Sequence, residues 1–94
     1  MNRTTRRGSF FVYIVQCRDG TYYTGCTNDL TRRIEEHNKG YGAKYLKKGK
    51  LPVKLVYAKE YHYYKNALRA ERRLKKLTRE QKLNLIKIYA YNAR

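Results

Sequence analysis

A chain of 94 residues with 23 Lys and Arg against seven acids, a formal charge of +16, describes one small domain built to meet a polyanion. Its longest apolar run, FFVYIV at 10–15, is too short to cross a bilayer, and a normal apolar fraction with one proline argues against a disordered chain. No signal-peptide core follows the basic start MNRTTRRGS and no helix pairs a basic face with a broad apolar one, so a cytoplasmic protein with no membrane partner is expected.

In chain order, residues 1–9 read as a basic flexible tail. FFVYIVQC is β-branched and aromatic on both faces, which predicts a central strand. The turn Arg18-Asp19-Gly20 leads into a second strand, TYYTGC. A three-residue loop with Gly20 left-handed suits Asp-Gly and pairs Cys17 with Thr21, Val15 with Tyr23, and Tyr13 with Gly25. Tyr13 and Tyr23 then share one face as diagonal neighbours, roughly 7–8 Å apart. Gly25 opposite Tyr13 would leave room above the phenol for another group. The two cysteines, Cys17 and Cys26, have neither CxxC spacing nor a His cluster, and read as reduced, partly buried thiols.

A helix is predicted from Thr27 or Asn28 as N-cap, with Asp29 in its first turn, to about Asn38, stopping at Gly40. At 100° per residue Leu30 and Ile34 define its buried stripe. Arg33 and His37 fall in that arc, whereas Arg32 points elsewhere. KGYGAKYLKKGKLP reads as an ordered loop, whose KKGK suits phosphates better than base edges. A third strand, VKLVYAKEY, alternates Val53, Leu55 and Tyr57 against Lys54, Val56 and Ala58. A second helix spans about Tyr64 to Leu77. Ala67, Leu74 and Tyr64 mark its inward face, and Glu71 projects into the same arc. A carboxylate there needs an Arg partner, a metal or a catalytic role. Thr78 with Gln81 forms a capping box for a last helix to about Tyr89. The order β-β-α-β-α-α predicts an α+β fold, a small three-stranded antiparallel sheet flanked by helices in a single domain over 10–90, with 91–94 as a tail.

VYI at 12–14, YTG at 23–25, TNDLTRRIEEH, GAKY and the downstream ALRAERRLKK together resemble the GIY-YIG endonuclease superfamily, closest to its small single-domain bacterial members related to the amino-terminal domain of the UvrC nuclease. The resemblance covers about residues 10–86. It implies catalytic roles for Tyr13, Tyr23, Arg33, His37 and Glu71, with Glu71 binding one Mg²⁺ or Mn²⁺. Val12 stands where the family has Gly, Thr24 where it has Ile, and Cys26 where UvrC-type members carry Lys; Asn84 is the nearest counterpart of a late family Asn. Tyr13 is the implied general base, with Arg33, metal and the basic field favouring its phenolate; Tyr23 and His37 are the other candidates for taking the proton. Lys44, Tyr45, Lys47, Lys48 and Lys50, with Arg32, are the expected nucleic-acid contacts.

The expected function is metal-dependent DNA endonuclease activity, in repair or recombination. The alternative is a basic nucleic-acid-binding module that keeps the fold without the activity, or a ribosome-associated protein using charge alone. With no separate recognition domain, target preference falls to DNA shape, a protein partner or a homodimer.

Overall fold

The computed structural model describes residues 7–47 and 49–93. Three strands, β1 (Arg7–Gln16), β2 (Tyr22–Thr27) and β3 (Lys54–Tyr63), and three helices, α1 (Leu30–Asn38), α2 (Tyr64–Lys75) and α3 (Arg79–Asn92), follow the predicted order. The sheet is antiparallel with order β2-β1-β3. β1 is central and covered on both faces, which is why its sequence is apolar on both. It begins three residues earlier than expected, and α3 continues to Asn92; residues 1–6, Lys48 and Arg94 lie outside the described residues.

The β1–β2 register is the one that a three-residue loop dictates: Tyr13 opposes Gly25 and Val15 opposes Tyr23. Gly20 N–H donates to Cys17 C=O at 2.9 Å with Gly20 at φ 88°, and Asp19 Oδ1 accepts from both Thr21 N–H and Oγ1–H. β3 departs from its expected alternation. A register shift between Ile14 and Val15 moves Tyr57 to the face of Val56, leaving Leu55 and Ala58 on the other.

Phe10, Val12 and Ile14 pack under Ala67, Ala70 and Leu74 of α2, with Leu85 and Ile86 of α3 behind them. Tyr13, Val15 and Cys17 face the opposite way, against Leu30 and Ile34 of α1 and Leu46 and Val53 of the segment 39–53. That segment is held as an ordered loop. The Asn38 side chain accepts from Val53 N–H at 2.7 Å and donates to Val53 C=O, and Arg18 N–H donates to Lys50 C=O.

α1 is capped by Asp29, which accepts from Arg32 N–H, while Thr27 Oγ1 accepts from Asp29 N–H one turn earlier. The helix therefore starts after the expected Thr27 or Asn28, with Asp29 as the cap and Thr27 still in the strand. The Thr78–Gln81 capping box is formed at α3.

Candidate active site at the β2 edge

Gly25 has no side chain to turn toward α1, so the Tyr13 phenol lies across the β2 backbone at that point. A Cβ on Gly25 would stand 2.5 Å from Tyr13 Oη. The space expected for another group is therefore filled by the phenol itself. From there the hydroxyl meets His37 Nε2 at 2.7 Å, and both residues are fully buried.

Arg33, one turn earlier on α1, takes the other direction. Its guanidinium lies beside the phenol and is about one-third exposed, paired to Glu36 at 3.4 Å. Such a solvent-screened pair is weak, and an arriving phosphate can replace it. From the opposite face of the sheet, α2 brings Glu71 round the same edge. Arg33 and Glu71 line one cleft of about 350 Å³ together with Cys26, Thr27 and Asn28, and Phe10 and Tyr64 form its back wall with rings 5.3 Å apart. The carboxylate of Glu71 is mostly buried and pairs with Lys75 at 3.3 Å, so its cation is a lysine one turn on rather than an arginine.

Of the expected catalytic residues, only Arg33 and Glu71 line this cleft; Tyr13 and His37 are buried beside Arg33, and Tyr23 lies apart. Its ring meets His37 edge-on at 5.6 Å and lies nearly parallel to Tyr45 at 6.0 Å. Asn84 is exposed on α3. Of the expected nucleic-acid contacts, Arg32, Lys44 and Lys47 are exposed, while Lys48 lies outside the described residues. Lys50 behaves differently. Its ammonium meets Asp19 Oδ2 at 2.7 Å, Thr21 Oγ1 at 3.1 Å and Tyr45 Oη at 3.1 Å, so its three protons have partners within the protein. It acts as a strut between the hairpin turn and Tyr45.

The electrostatics correct one expectation. Arg33 does favour the Tyr13 phenolate, but burial is the larger effect and pushes the phenol up to about 12. Burial, and then the Arg33 charge, hold His37 below its ordinary 6.5, so the imidazole is neutral near pH 7. Because the Tyr13 value is raised over that of the unfolded chain, its contribution to stability is complete below pH 10 and is lost as pH rises toward 12. Tyr13→Phe should remove this share of the alkaline loss. The check is the difference between wild-type and variant urea midpoints at pH 8, 10 and 11, and equal slopes would count against a buried, protonated phenol.

Sequence reasoning missed Gly42. Its Cα lies flat against the imidazole, and an added Cβ would overlap His37 Nδ1. Nδ1 is buried and has no hydrogen-bond partner among the described residues. The available signal was a second glycine two residues after the helix-ending Gly40, at a position whose backbone needs no left-handed conformation. It is glycine for closeness rather than for a turn.

The donor set of the cleft bears on a metal. Among the described residues no group of three or more His, Cys, Asp or Glu side chains could hold an ion. One carboxylate, in a cleft that Thr27 and Asn28 with their hard side-chain oxygens also line, suits a hydrated Mg²⁺-type cation completed by water and phosphate, and does not suit a closed zinc or calcium cage.

Comparison with known proteins adds independent information. The family model for the GIY-YIG catalytic domain matches residues 9–84. A UPF0213 protein of Staphylococcus aureus is 51% identical over 79 residues, which is 84% of this chain and 95% of that one. The solution structure of the UPF0213 protein BH0048 from Bacillus halodurans is similar with a TM-score of 0.56 at 40% identity, over 85% of this chain and 84% of that one. The solution structure of EF2693 from E. faecalis gives 0.60 at 36% identity, over 93% and 92%.

Proposed function

This chain belongs to the GIY-YIG catalytic-domain family, and from that premise we propose that it is a divalent-metal-dependent endonuclease hydrolysing phosphodiester bonds in DNA. The observation that carries this is that Arg33 and Glu71, from opposite faces of the sheet, line one cleft beside a buried phenol–imidazole hydrogen bond. A protein that needs only charge to bind nucleic acid has no use for a sequestered carboxylate and a sealed Tyr–His pair.

Arg33 holds the scissile phosphate and offsets the charge that builds on its oxygens. Glu71, with Asn28 and Thr27 near it, would hold a single Mg²⁺ or Mn²⁺, which when bound supplies Lewis-acid stabilisation of the departing oxygen. Tyr13 and His37 act together on the attacking water. With Nε2 as the bare nitrogen, the phenol O–H donates to it and one phenol lone pair accepts from Arg33, leaving the other for the water. As the water attacks phosphorus, its proton passes to Tyr13 Oη while the phenol proton passes to His37 Nε2. The net acceptor is the imidazole, and no free phenolate is needed. A phenol held near 12 cannot be a ready base, but it can relay.

This relay has a pH signature. The cleavage rate should rise through a half-point below 6.5, where His37 loses its proton, and stay level from neutral pH to about pH 9. The measurement is nicking of supercoiled, branched and single-stranded DNA with Mg²⁺ or Mn²⁺ across that range. A rate that keeps climbing tenfold per pH unit toward 10 would make a Tyr13 phenolate the base. No cleavage of any substrate would leave a basic binding module.

A further inference from the structure

On the same edge of β2, beyond Lys75, lies a second groove of about 300 Å³ bordered by Tyr22, Tyr23, Thr24, Tyr45, Lys75 and Lys82. Three features distinguish it from ordinary surface. Tyr23 and Tyr45 are only 19° from parallel, yet their centres are 6.0 Å apart. Rings in face-to-face contact would be closer, so the two are offset and offer a broad aromatic surface rather than a closed stack. Among the described residues its lining carries two ammonium groups and no acid, Lys75 being paired with Glu71 just outside it. Thr24, which borders it, is 5% exposed, and its buried hydroxyl has no hydrogen-bond partner among the described residues. An unsatisfied hydroxyl in a cationic, aromatic recess is the complement of a group with hydrogen-bonding oxygens and a flat ring.

Resting on the nuclease reading above, we propose that this groove is a nucleotide subsite that takes one unstacked nucleotide of the DNA strand next to the bond held by Arg33 and Glu71, with its base on Tyr45 and Tyr23 and its phosphate between Lys75 and Lys82. Continuity with the cleft is provided by α2. Glu71 lines the cleft, Lys75 lines the groove, and the two side chains touch at 3.3 Å. A strand crossing the cleft therefore meets Lys75 as it leaves. The platform is also held in place in advance. Lys50, itself paired with Asp19, holds the Tyr45 hydroxyl, so Tyr45 stays half exposed without being loose. This pre-ordering lowers the entropy lost when a base docks. It also gives Lys50 a purpose that a direct phosphate contact would not.

The test scans 5-iododeoxyuridine along a short oligonucleotide bound to the wild-type chain in EDTA, with photocrosslinks mapped by mass spectrometry and affinity measured by fluorescence anisotropy. A crosslink to Tyr45 or Tyr23 at one or two adjacent positions is expected. Tyr45→Ala should weaken binding roughly five- to hundredfold, with Tyr45→Phe retaining most of the affinity. Lys82→Gln, on a partly exposed helix position, should lower the salt-dependence slope by about one without disturbing the fold. Crosslinks confined to other tyrosines, or Tyr45→Ala and Lys82→Gln variants that fold and bind like the wild type, overturn the subsite. Since no cleavage is involved, a Tyr45 crosslink in a protein that never cuts DNA keeps the subsite and removes the nuclease reading. Cleavage with no crosslink at Tyr45 or Tyr23 does the reverse.

Discussion

Glu71→Gln should lose cleavage by at least about a thousandfold while still folding and binding DNA. The amide keeps the shape of the carboxylate in a position that is mostly buried, so the packing of α2 against β1 through Ala67, Ala70 and Leu74 is untouched. What disappears is the one acidic group among the described residues that line the cleft, together with the pairing with Lys75. A lysine relieved of its partner adds to the positive field, so affinity for DNA should stay level or rise slightly, with an unchanged or steeper salt slope. The pair of measurements is nicking rate with Mn²⁺ and anisotropy over a salt series. If activity survives in Glu71→Gln at even a tenth of the wild-type rate, the carboxylate is not the metal's anchor.

The second large effect is expected at a glycine that does not line the cleft. Gly42→Ala would drive a methyl group into His37 Nδ1, and the fully buried ring, held by Tyr13 and met edge-on by Tyr23, has little room to retreat. Overpacking of this kind costs about 2–3 kcal/mol, and the displaced imidazole would also leave the Tyr13 hydroxyl without its acceptor. Stability by urea denaturation and cleavage should therefore fall together. A diagnostic follows from the geometry. In a His37→Ala background the same Gly42→Ala change should be nearly neutral, since its methyl would enter the space the ring vacates. If the two substitutions destabilise additively, the contact between Gly42 and His37 is not what constrains the loop.

The hairpin was readable because its determinants are local. Asp19-Gly20 sets the loop length, the loop length sets the register, and the register puts Gly25 opposite Tyr13. Helical periodicity likewise brought Arg33 and His37 to the inner side of α1 and Glu71 to the inner arc of α2. It could not separate Arg33 from His37, since both lie in one arc. That separation depends on the segment 39–53 folding over the last turn of α1, with Leu46 fully buried and Asn38 holding both backbone groups of Val53. Nothing within the helix specifies that cover. The same holds for Lys50, read as a phosphate contact from its neighbours in KKGK, whereas a carboxylate more than thirty residues away claims it. The face switch of Tyr57 was hidden for a related reason, since a bulge belongs to the pairing of two strands rather than to either one. The acidity of Tyr13 was misjudged from charge alone. Counting nearby cations suggests an easily ionised phenol, but complete burial outweighs them.

One geometric detail bears on how the enzyme would reset. With Gly42 packed against Nδ1, the imidazole's one hydrogen-bond partner among the described residues is the Tyr13 phenol. On the proposed relay, a proton passed to His37 would have to return through the same phenol, so cleavage and recharging would share one lane and could not overlap.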